Sequence, residues 1–232
     1  MIIDLSLTIV AMGALRSKDS RSTAIDFINW LKEQNLNPSA QQGHLTKTED
    51  IVGLLWNLDF SKYGSEHEVD FKFNANWNQP EKTYLGGGLY FHTNSDQYSV
   101  RINILPPMRV QSRSDYDGLA KKITSFAEEV HKKIKAKVTV VDKNSTALGS
   151  KAYNLHTLPL WIGWYSVYDP EMWSKHKITD KILTLNDLKI IDEEKIVIMH
   201  STKGWSEYHR YGWNDETKNY LKSFGGRLLH NK

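Results

Sequence analysis

The chain has 232 residues, a formal net charge of +3, 40% apolar and 25% charged residues, and no cysteine. That length buries a sizeable core without covalent staples, and the composition excludes a disordered chain. The missing cysteines exclude a disulfide scaffold, a thiolate metal site and a cysteine nucleophile.

Ile3, Leu5, Leu7 and Ile9 alternate with Asp4, Ser6 and Thr8, which predicts a half-buried first strand; Asp4 and the lack of a basic start argue against a signal peptide. Met12 to Ser22 reads as a polar, basic loop. Ser22 or Thr23 opens a helix to about Gln34 with Ala24, Ile25, Ile28 and Leu31 on one face, closed by Asn35-Leu36-Asn37-Pro38. Thr46 or Thr48 caps a shorter helix ending near Leu55, with Glu49 and Asp50 in its first turn. From Glu68 to Pro107 the period is two: Val69, Phe71, Phe73, Ala75 and Trp77, then the Gly86–His92 stretch, then Tyr98, Val100, Ile102 and Ile104. This predicts an antiparallel meander, with helices packed on its apolar face.

Leu119, Ile123, Phe126, Val130 and Ile134 recur at helical spacing, and Lys132, Lys133 and Lys135 suit the negative end of that helix's dipole. A short strand follows at Lys137–Val141, with a turn at Asp142–Ser145. Thr157–Asp169 is apolar on both faces, as a central strand would be, or one whose exposed face meets a partner. Glu171–Thr179 reads as a polar excursion, Ile182–Ile191 as two short apolar pieces, and Lys195–His200 as a buried strand. Thr217–Phe224 is a short helix stopped by Gly225-Gly226. The fold class expected is α+β, mainly antiparallel. Six scattered prolines and no Gly/Ser run favour a single domain over residues 1–232.

Chemical motifs are weak. Gly86-Gly87-Gly88 lacks the Lys-Ser/Thr and the following helix that a phosphate loop needs. His200, Glu207 and His209 fit no metal-ligand spacing, and His200 beside Ser201 is not a triad. No carboxylate pair stands out as acid and base, so neither catalysis nor a cofactor or metal is expected. The charge is dispersed, with acidic clusters at Asp169 and Glu171 and at Asp192-Glu193-Glu194. No run approaches a membrane span, so a cytoplasmic protein is expected.

Eight tryptophans are many for this length. Trp205, Tyr208, Tyr211 and Trp213 stand among Lys203, Glu207, Arg210, Asn214 and Asp215 in what reads as a loop. Their composition fits a core and an interface centre equally. With Asp169, Glu171, Asp192, Glu193 and Glu194 they form the candidate partner-binding set. Single-stranded nucleic acid also uses aromatics with arginine, but the acidic neighbours argue against direct contact with it.

Val52-Gly53-Leu54-Leu55-Trp56-Asn57, Val100-Arg101-Ile102-Asn103-Ile104-Leu105-Pro106, Gly163-Trp164-Tyr165-Ser166-Val167-Tyr168 and the closing Gly225-Gly226 together resemble the immunity protein 52 family. Members accompany toxin genes in bacterial polymorphic and type VI secretion systems. The resemblance implies a non-enzymatic α+β protein that neutralises a cognate antibacterial toxin by forming a stoichiometric complex. That toxin is commonly a nuclease of the restriction-endonuclease fold, whose basic cleft suits a carboxylate-bearing inhibitor. The mildly basic net charge departs from that pattern. A nucleic-acid-binding protein and an enzyme with an unread site are the alternatives.

Overall fold

The computed structural model describes residues 7–15, 20–39, 44–56, 66–75, 83–92, 97–105, 113–143, 161–175, 185–193, 196–223 and 225–228. The fold is α+β. Among the described residues its frame is a sheet of nine strands, all paired antiparallel.

β1 (Leu7–Leu15) runs at the middle of this sheet, between β5 (Gln97–Leu105) and β6 (Val138–Asp142). It runs on past its predicted end, absorbing residues 12–15 that read as loop; residues 1–6 of the predicted strand lie outside the described residues. The register slips between Ala11 and Ala14, where Gly13 takes a φ of 83°. That left-handed conformation suits glycine, and it lets the strand bulge and continue. The meander is β3 (Glu66–Ala75), β4 (Thr83–His92) and β5, as expected. It occupies one half of the sheet, with β2 (Leu36–Pro38), which had read as part of the stop after the first helix, added at its edge. Gly86, Gly87 and Gly88 lie inside β4, opposite Lys72, Phe71 and Asp70, so the glycine run is strand interior flanked by strands on both sides.

The other half runs β6, β8 (Tyr165–Tyr168), β10 (Ile196–Ser201) and β9 (Leu188–Glu193). β6 and β8 are buried at every position. Successive side chains point to opposite faces, so both faces of these strands are covered. The long strand predicted over 157–169 is interrupted: β7 (Trp161–Ile162) leaves for a two-stranded parallel ribbon with β11 (Arg227–Leu228). Gly163 is the cause. A Cβ there would sit 2.5 Å from Val140 Cγ1 and 2.8 Å from the Val141 carbonyl oxygen. Only glycine lets the chain cross β6 that closely.

The helices α1 (Ser20–Glu33), α2 (Thr48–Trp56) and α3 (Arg113–Ile134) follow the predicted stripes. Ala24, Phe27, Ile28 and Leu31 of α1 are buried, as are Leu119, Ile123, Val130 and Ile134 of α3. α3 packs on β1, β6 and β8 and meets α1, where Trp30 stacks on Phe126 at 5.3 Å. Asn35 and Lys135, both at positive φ, close α1 and α3. In α3 the Ala136 N–H returns to the His131 carbonyl at 3.0 Å, a left-handed C-cap.

Candidate functional site

The chain leaves β10 through Ser201 and enters α5 (Trp205–Tyr211), then α6 (Asp215–Ser223). Residues 205–211 are a helix, correcting the loop reading of this stretch. Trp205 and Tyr208 lie one turn apart and point inward together, a three-residue step that the aromatic crowding hides in the sequence.

Trp205, Tyr208 and Trp213 are all almost fully buried, so three of the four candidate contact aromatics are core residues. Trp164 meets Trp205 edge-on at 5.4 Å; Trp205 stacks with Tyr208 at 6.1 Å; Tyr208 meets Trp213 edge-on at 5.4 Å. Such pairs contribute about 0.5–1.5 kcal/mol each beyond the area they bury. Tyr211 is different. It is 58% exposed, the one exposed large hydrophobic side chain among the described residues. The Arg210 guanidinium lies 5.1 Å from its ring centroid. Around it Glu207, Asn214, Asp215 and Glu216 are exposed.

Three carboxylates hold this end of the molecule in place, and sequence reasoning missed all three. Asp142, in the interior at the end of β6, accepts from the Lys143 N–H at 2.7 Å, the Trp164 N–H at 2.9 Å and the Tyr208 hydroxyl at 3.1 Å. Burial pushes its pKa up to about 6, against those hydrogen bonds. Burial and the neighbouring Asp142 also push the Tyr208 phenol well above its ordinary value.

Asp187, also buried, accepts from the Asn214 N–H at 2.7 Å and the Thr217 hydroxyl, with Lys203 Nζ at 3.4 Å. Lys203 in turn donates to the Gly212 carbonyl at 2.9 Å. Asn214 caps α6 by accepting the Thr217 N–H at 2.7 Å.

Asp117, from α3, accepts the Ser206 N–H at 3.1 Å, supplying an N-cap that Gly204 cannot. A side chain at 204 would crowd this cap: its Cβ would lie 2.8 Å from Asp117 Oδ2, so the carboxylate would have to shift. In sequence these acids look like turn formers or helix-start charges, so nothing marked them out.

The acidic members of the predicted set lie elsewhere. In the sheet register Tyr168, Val197 and Asp192 share one row, while Tyr165, His200 and Lys189 share another three residues away. Asp169, Glu171, Asp192 and Glu193 therefore cluster at one end of β8, β9 and β10, and α5 begins beyond the other end. From Val197 to Ser201 the strand rises roughly 13 Å. Those of the predicted nine residues that are described do not form one patch.

Asp169 is the N-cap of α4 (Pro170–Lys175), a helix where a polar excursion was expected. It accepts the Met172 N–H at 2.7 Å and pairs with Lys137 at 2.7 Å; Glu171 pairs with the same lysine at 2.9 Å. Burial opposes the Lys137 charge, but hydrogen bonds to Asp169 and Glu171 outweigh it and raise the pKa. Asp192 is exposed on the edge strand. The Glu193 side chain and all of Glu194 lie outside the described residues.

His200 stacks on Tyr165 at 5.7 Å, and His209 meets Trp205 at 5.4 Å. Among the described residues no group of three His, Asp or Glu could hold a metal ion, and no helix is long and apolar enough to cross a membrane. No family model matches this sequence, and no curated protein matches it significantly.

Proposed function

We propose that this protein is an immunity protein: a non-catalytic bacterial inhibitor that binds a cognate antibacterial toxin in the cytoplasm and holds it in a stoichiometric complex. The observation that supports this reading best is Tyr211. Tyrosine and arginine are both enriched among the residues that carry binding energy at interface centres. Tyr211 sits on a short helix whose inner face is locked by Trp205, Tyr208, Asp142 and Asp117. A side chain on so fixed a base loses little freedom on binding, which favours affinity.

The contact surface in this reading is the α5–α6 end: Tyr211 and Arg210 at the centre, Glu207, Asp215 and Glu216 around them. Carboxylates around an aromatic anchor suit a partner with a cationic, concave surface, such as a nuclease cleft. Only this patch need be acidic, so a net charge of +3 is no obstacle.

The test is co-expression with the toxin encoded beside it. Rescue of growth and co-purification as a stable complex, lost in Tyr211→Ala, are expected. If the cells die and no complex forms, the proposal fails.

A further inference from the structure

A second surface carries chemistry unrelated to the α5–α6 end. One face of α1 and the last turn of α3 enclose an open cleft of about 530 Å³, within the range of ligand and peptide pockets. The α1 wall presents Asp26, Asn29 and Glu33, one to two turns apart. Opposite stand Lys132, Lys133 and Lys135. Trp30 lies between the walls, almost fully buried and fixed by its stacking on Phe126.

Two carboxylates thus face three ammonium groups, yet none of the five belongs to an ion pair among the described residues. The cleft holds the two signs apart. Complementing the α3 dipole accounts for Lys132 and Lys133. It accounts for neither Asp26 and Glu33 nor the backbone of Lys135. Lys135 takes a φ of 55° at the helix C-cap, where glycine is the usual residue and a side chain costs about 1 kcal/mol. Its side chain is the third ammonium group lining the cleft.

Walls of opposite sign select against a ligand of one sign. A polyanion meets Asp26 and Glu33; a polycation meets the lysines. We propose that the α1–α3 cleft binds a peptide segment carrying both basic and acidic side chains, its cationic group against Asp26 and Glu33 and its carboxylate against Lys132, Lys133 and Lys135. This inference does not rest on the toxin reading.

The test is an NMR titration of the full chain with four probes: the blocked mixed peptide acetyl-Lys-Glu-Lys-Glu-amide, blocked tetralysine, blocked tetraglutamate and an oligothymidylate. Saturable shifts at both residues 22–33 and 132–135 are expected with the mixed peptide alone. Exposed pairs contribute up to about 1 kcal/mol, so Glu33→Gln and Lys133→Gln should each weaken binding by up to about fivefold. These surface variants leave the core untouched. Equal or tighter binding of the tetraglutamate, the tetralysine or the oligothymidylate would overturn the proposal, as would the absence of saturable shifts with the mixed peptide.

Discussion

The Tyr208 hydroxyl donates to Asp142 Oδ2 at 3.1 Å and so ties α5 to the end of β6, across 66 positions of sequence. Three residues before Asp142 on β6, Thr139 meets Nδ1 of His131 at 2.9 Å. One strand therefore serves two buried titratable groups.

Their protonation pulls in opposite directions. Burial lowers the His131 pKa to about 4, so its neutral form stabilises the fold above its unfolded value of 6.5, and this is lost as pH falls toward 4. Asp142 is raised to about 6 from 3.8, so its contribution is present at low pH and lost as pH rises through 6. Each amounts to about 3 kcal/mol, over nearly the same window. The two should largely cancel in the native protein. Denaturant melts of Asp142→Asn should lose stability steeply from pH 6.5 to 4, and His131→Gln should gain it on the same descent. Parallel profiles for the two variants would refute the assignment.

Two glycines make a sharper test of packing. Gly163→Ala forces a Cβ to 2.5 Å from Val140 Cγ1, and overpacking of this kind costs about 1–3 kcal/mol or more. Gly118, exposed in α3, has nothing within 4 Å of its missing Cβ. Gly118→Ala should stabilise by about 0.5–1 kcal/mol through helix propensity. Thermal denaturation of the pair should move in opposite directions.

Trp205 and Tyr211, six positions apart, should separate stability from binding. Trp205→Ala empties a fully buried site and should cost about 3–5 kcal/mol. Tyr211→Ala should change stability by less than about 0.5 kcal/mol. Against the toxin it should lose about 2 kcal/mol or more, as an interface anchor does. Calorimetry on both variants decides. Charge reversal at Asp192 and Glu193, at the far end of the sheet, should leave that affinity unchanged.

Asp187→Ala should be more damaging than its place in a turn suggests. It leaves the part-buried Asn214 N–H and the buried Thr217 hydroxyl without their acceptor, and Lys203 without its counter-ion. Breaking such a buried charge costs about 3–5 kcal/mol. Hydrogen exchange should show α6 opening before the sheet.

What could be read from the sequence follows from period and length. α3 is legible because Leu119, Ile123, Val130 and Ile134 repeat over several turns, and the meander because its alternation is long. α5 is not. Seven residues give about two turns, too few for a stripe to repeat, and buried Trp205 and Tyr208 adjoin exposed Tyr211, so composition alone leaves core and interface balanced. The break at Gly163 is hidden because the need for glycine comes from Val140 and Val141, residues far away in sequence. Asp142, Asp187 and Asp117 each act on a segment at least 22 residues away, which no local pattern records.

β1 is made before either of the strands that flank it. Its neighbours are Leu105–Gln97 on one side and Val138–Asp142 on the other, so an emerging chain holds an apolar strand with at least one bare edge until residue 142 has left the ribosome. At about 5–20 residues per second that wait is roughly 6–25 s. Through it, Ile9, Val10 and Ala11, which end fully enclosed, are open to any passing strand edge. The demand this fold makes of the cell is shelter for residues 7–15 during synthesis.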